Sequence, residues 1–147
     1  MLFRRLFAAV LLAALTACAA VPLQRGQTAQ LTQDAPADEV EKVFGKATVT
    51  ATHEFDFQDK HFRARHYNLQ TGSKQEMSMS CTQYGCFPVF YTVAVTAPYV
   101  VVYNTGTKKL VAWGLVEELS RSPDESVSAM MPALKESHAK AVAEKKK

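Results

Sequence analysis

The sequence predicts an α+β fold, on three observations. Segments rich in β-branched and aromatic residues fill the middle of the chain, the clearest being Tyr99–Tyr103 and Leu110–Trp113. A short amphipathic stretch, residues 36–44, precedes them. A helix-start signal, Ser122-Pro-Asp-Glu125, follows them.

The first helix is expected over about residues 36–44. Pro36 suits a first turn, where its missing N–H is not needed. Asp38, Glu39 and Glu41 place negative charge near the positive end of the helix dipole. Val40, Val43 and Phe44 recur at i, i+3, i+4 and so share one face. Gly45 ends the helix by taking a left-handed conformation cheaply. So short a helix persists only when packed on something.

Strands are expected over 48–57, 61–70 and 89–95, the last ended by Ala97-Pro98. Tyr99–Tyr103 and Leu110–Trp113 read as an antiparallel hairpin across the loop Asn104 to Lys109. That hairpin is apolar on both faces, with Tyr99, Val101 and Tyr103 on one and Val100 and Val102 on the other. One face is expected to take the first helix. The other needs a cover, from the C-terminal helix, the segment 74–88 or a partner. Residues 74–88 read as an irregular insert. The second helix is expected to start with Ser122 as cap, Pro123 in the first turn and Glu125 reaching back. Val127, Met130, Met131 and Leu134 form its apolar stripe, and Pro132 is expected to kink or end it.

The N-terminus carries the most specific signal. Arg4 and Arg5 precede an unbroken apolar run, Leu6 to Leu15, too short to span a bilayer that needs roughly 20 apolar residues. Leu15-Thr-Ala-Cys18 looks like a lipobox, in which small residues admit a peptidase and the cysteine thiol takes diacylglycerol. The expectation is a bacterial lipoprotein, with residues 1–17 as signal peptide and Cys18 as the lipidation site. Ala19 is not the Asp that resembles an inner-membrane retention signal, so the outer membrane is favoured, with the protein facing the periplasm. Residues 18–33 read as a tether, 34–134 as one α+β domain, and 135–147 as a charged tail.

Charge and cysteine usage narrow the function. The 17 Lys and Arg lose two with the signal, against 14 acidic residues, so the mature chain is near neutral. Nothing electrostatic argues for nucleic acid. With Cys18 acylated, Cys81 and Cys86 remain, an even pair in an oxidising compartment, and a disulfide between them is expected.

Candidate chemistry is sparse. His53, Asp56, Asp59, His61 and His66 fall in one stretch and invite a metal. Strand parity opposes it: His53 and His61 agree, while Asp56 and His66 have the other parity. Only a turn or bulge between 57 and 61 would change the faces, and no metal site is expected. Arg63 and Arg65 alternate along a half-exposed strand. No serine or cysteine sits in a glycine-flanked elbow, and the six glycines form no phosphate loop. Glu117 and Glu118 are adjacent and in a strand would face opposite ways. No catalytic residue, cofactor or enzymatic activity is expected.

Leu31-Thr-Gln-Asp-Ala-Pro-Ala-Asp-Glu-Val40-Glu-Lys-Val-Phe44-Gly45 resembles the opening motif of the SmpA/OmlA (BamE-like) lipoproteins, a short helix with an apolar pair ending in glycine. Phe62-Arg-Ala-Arg-His-Tyr67 and Tyr99 to Trp113 are similar to that family's strands. Three departures stand out: Asp34-Ala35 replaces a glycine before the helix, Lys46-Ala47 replaces a proline after Gly45, and the Cys81–Cys86 segment and C-terminal helix are additional. The resemblance implies a two-layer sandwich, with helices packed on one face of a small antiparallel sheet. It also implies a non-enzymatic accessory role in outer-membrane protein assembly or envelope maintenance, with an envelope protein as partner. A small-ligand or inhibitor-type protein of the same sandwich is the alternative, and a cell-wall hydrolase the remoter one.

Overall fold

The computed structural model describes residues 20–146. The lipobox and Cys18 lie outside the described residues. Four strands, β1 (Ala51–Phe57), β2 (Lys60–Thr82), β3 (Gly85–Asn104) and β4 (Lys109–Leu115), form one antiparallel sheet in the order β1-β2-β3-β4. The helices are α1 (Arg25–Thr28), α2 (Ala37–Phe44), α3 (Val116–Leu119) and α4 (Glu125–Glu144). The fold class is therefore α+β, helices packed against a small antiparallel sheet.

Helix α2 forms where its periodicity puts it, with Pro36 as the capping residue and Gly45 at φ +54° closing it. Val40 and Phe44 are almost fully buried against Tyr67, Leu69, Tyr99, Val101, Tyr103 and Leu110. The Phe44 ring meets Tyr67 edge-on, with centroids 5.0 Å apart. Helix α4 covers the opposite face. Val127, Met130, Met131 and Leu134 pack on Phe55, Phe62, Ala64, Val100, Val102 and Ala112. The hairpin's need for cover on both sides is thus met by one longer helix on each face.

Four expectations change. The segment 21–33 is not a free tether. Leu23 is fully buried and bridges β2, its N–H donating to the Asn68 carbonyl at 2.8 Å while the Gln70 N–H donates back to its own carbonyl at 2.8 Å. Gln27 then donates its amide to the last carbonyls of α2, Val43 (2.9 Å) and Phe44 (3.0 Å). Leu31 is buried in the same cluster, and each buried leucine contributes ~2 kcal/mol toward holding the segment down, beside these hydrogen bonds. Second, α4 starts two residues late. Asp124 is the cap, accepting from the Ser126 and Val127 N–H groups, because a carboxylate caps as well as a hydroxyl and also favours the dipole.

Third, α4 does not end at Pro132 but continues past it, and residues 135–144 belong to the helix rather than to a loose tail. Buried Met130 and Met131 before the proline and buried Leu134 after it lie in one cluster. Packing on both sides offsets the cost of about 3 kcal/mol. Fourth, Ala97-Pro98 does not end a strand. Pro98 sits opposite Asn68, whose carbonyl points away from β3 toward Leu23. The proline nitrogen therefore faces the open outer edge beyond β4, where no ladder bond is lost.

Candidate functional site

Residues 74–88 are not irregular: β2 and β3 continue in register beyond the domain as a two-stranded arm, Gly72 opposite Val95 through Thr82 opposite Gly85. A bulge between Gln70 and Gly72 marks its base. At ~3.3 Å per residue the arm is about 40 Å long. Gly85, at φ +127°, makes the tip turn, and Cys81 and Cys86 close it as a disulfide, as the cysteine arithmetic anticipated.

Alternation divides the arm's side chains. Met77, Phe90, Met79, Pro88 and the disulfide share one face; Phe87, Val89, Tyr91, Val93 and Val95 share the other. Among the described residues no helix covers either face. Tyr84 is 84% exposed, Phe90 65% and Met77 61%. From Met77 to Thr107 the chain holds no Asp, Glu, Lys or Arg. Large apolar side chains exposed together on a single element mark an interaction surface.

The histidines regroup. A two-residue turn, Gln58-Asp59, with φ of +49° and +58°, joins β1 to β2. It pairs Ala51 with His66 and Phe55 with Phe62, so odd residues of β1 share a face with even residues of β2. His53 and His66 therefore meet beneath α4, Nε2 to Nε2 at 2.9 Å, with 7% and 5% exposure. His138 of α4 stacks on His66, centroids 4.0 Å apart. The Ser137 hydroxyl donates to the Glu54 carbonyl (2.8 Å) and so accepts from His53 Nδ1 (2.8 Å). This leaves His53 Nε2 as the acceptor for His66, and the chain of bonds is satisfied with both rings neutral. Burial lowers the His53 pKa to about 4 and the His66 pKa to about 3, with the neighbouring histidines adding to it.

Glu54, Asp56, His61 and Arg63 fall on the other face. His61 sits between Asp56 (2.5 Å) and Glu54 (3.0 Å), whose hydrogen bonds raise its pKa, Asp56 first. Arg63 donates twice to Glu54, at 2.9 and 2.7 Å. Arg65 pairs with Glu41 of α2. Among the described residues no group of three or more His, Cys, Asp or Glu is arranged to hold a metal ion.

A cleft of about 280 Å³ opens beside α2, lined by Glu41, Arg63, Arg65, Tyr103 and Lys108 among others. The buried Tyr103 hydroxyl on its wall has no hydrogen-bond partner among the described residues, and burial raises its pKa. Glu117 and Glu118 lie on α3, not on a strand, and do not line this cleft. Compared with family models, curated proteins and solved structures, the chain matches none.

Proposed function

We propose that this is a non-enzymatic lipoprotein of the bacterial outer membrane, anchored through Cys18 and facing the periplasm, that serves as an accessory contact module in envelope maintenance or outer-membrane protein assembly. The observation that carries it is the arm. A domain of this size already buries two apolar clusters without residues 72–95, so the arm's exposed methionines and aromatics are for contact rather than for folding. The lipobox supplies the location, and the motif at Leu31–Gly45 supplies the resemblance to the SmpA/OmlA lipoproteins.

Photocrosslinking amino acids placed at Met77, Tyr84 and Phe90 in living cells test this reading. Each should capture an envelope component, while the same probe at Lys140 on α4 should not. Cys18→Ser should abolish fatty-acid labelling and signal cleavage together. Silent arm positions, or a Cys18→Ser precursor processed like wild type, would remove the contact role or the anchor respectively. A second reading, a small-ligand binding protein, is favoured by the Tyr103 hydroxyl, unpartnered among the described residues, in a cleft rich in cationic side chains. Native mass spectrometry of protein purified from cells would reveal a retained ligand.

A further inference from the structure

We infer that the arm lies against the lipid bilayer that holds the anchor, inserting its apolar side chains at the membrane interface. The inference rests on the lipid-anchored reading above and names the arm's occupant. Ala20, Val21 and Pro22 line one cleft with Val93, Ala94 and Thr96 at the base of the arm. Val21 is fixed there: its N–H donates to Thr48 Oγ1 (2.9 Å) and its carbonyl accepts from the Thr48 N–H (2.9 Å). Leu23, two residues on, is locked to β2. Only two residue steps separate Cys18 from Ala20, which at full extension span roughly 7 Å. A lipid on Cys18 therefore puts the root of the arm at the headgroups, within reach of the membrane along the arm's length.

The arm's chemistry fits that place. Its distal part, from Met77 onward, carries no charge to desolvate. On one face Met77, Met79 and Phe90, with Tyr84 at the tip, are the exposed side chains an interfacial element inserts. Its depth is limited by its backbone. The arm is a ribbon of two strands with both outer edges unpaired, and unpaired N–H and C=O groups are excluded from hydrocarbon. The arm thus rests at the interface and does not cross. The disulfide keeps the tip turn closed and Tyr84 presented. Contact by apolar side chains alone requires no anionic lipid and persists in high salt.

The test uses the full mature lipoprotein, purified from cells and reconstituted in phosphatidylcholine vesicles with and without phosphatidylglycerol. Trp113 is replaced by Phe, and a reporter tryptophan is placed by Phe90→Trp or Tyr84→Trp, with Lys140→Trp as the control on α4. Intact mass reports whether Cys18 carries lipid. With brominated phosphatidylcholine, the arm reporters should lose about half their fluorescence, as expected for a depth of about 5–10 Å, and the α4 reporter should not. The loss should be the same with and without phosphatidylglycerol. Lipidated, vesicle-bound protein whose arm tryptophans stay unquenched overturns the membrane contact alone, and crosslinks from Phe90 to a protein in cells would then identify the occupant. A mass showing unmodified Cys18 overturns the anchored reading and this inference with it. Two reporter positions guard against a single substitution that disturbs the arm.

Discussion

Lowering the pH from 7 to 5 should weaken this domain through His53 and His66, and the size of the effect follows from their burial. Unfolded, each ring titrates near 6.5; folded, the two are held neutral down to about 4 and about 3. A folded pKa below the unfolded one means that the unfolded chain binds more protons in between. The stability these rings contribute is therefore complete above pH 6.5 and is lost as pH falls toward 4. At about 1.4 kcal/mol per pH unit per ring, the fall to pH 5 removes up to about 4 kcal/mol for the pair. It is nearer 2 kcal/mol once water beside half-buried His138 is counted as screening. Ser137, His138 and Phe55 face the pair, and none of them supplies a counter-charge.

Urea unfolding at pH 7, 6 and 5 reads this directly. With a slope of about 2 kcal/mol/M, the midpoint should fall by roughly 1 M. His53→Gln/His66→Gln, which keeps polar contacts but cannot titrate, should lose that dependence. His61 works with the opposite sign, since its raised pKa adds stability as pH falls, but it is common to both proteins and drops out of the difference. The carboxylates with lowered pKa, Glu54, Glu76, Asp124 and Glu136, lose their contributions only below this window. Equal midpoint shifts in wild type and double variant would refute the reasoning. So would imidazole NMR signals of His53 and His66 titrating near 6.5, a measurement that survives poor folding of the variant.

Leu134→Ala, at a fully buried position where α4 meets the sheet, should cost about 3 kcal/mol in chemical denaturation; a loss under 1 kcal/mol would mean that α4 docks weakly. Cys81→Ser/Cys86→Ser removes a bond at the arm tip, beyond both clusters. Domain stability should change by no more than about 0.5 kcal/mol, while limited proteolysis at 80–88 accelerates; a large fall in melting temperature would show the arm to be coupled to the core. Tyr103→Phe deletes a buried hydroxyl with no partner among the described residues and should be neutral or stabilising by up to about 1 kcal/mol. A clear destabilisation in the same unfolding assay would reveal a hydrogen bond through water or ligand in the cleft.

The sequence by itself determined what depends on near neighbours. The helix at Val40–Phe44 with its closing Gly45, the two-faced hairpin of Tyr99–Tyr103 and Leu110–Trp113, the apolar stripe of α4 and the Cys81–Cys86 pair all follow from spacing within a few residues. Tertiary structure decided everything that depends on register or on which partner lies across the sheet. The faces of His53 and His66 turned on whether residues 58 and 59 form a two-residue turn, and Gln58-Asp59 lacks the glycine that announces one. One residue of slip exchanges the faces of a strand, so parity counted along the chain missed a cluster completed by His138 from the far end of the sequence. The arm was hidden for a related reason. Its Ser, Thr, Gln and Pro residues read locally as loop, and only pairing with a second strand supplies the backbone hydrogen bonds that keep it extended. Burial of Leu23 and Leu31 was equally invisible, because a small polar segment becomes part of a domain only when a pocket elsewhere, here beside α2 and β2, is shaped to hold its large apolar side chains.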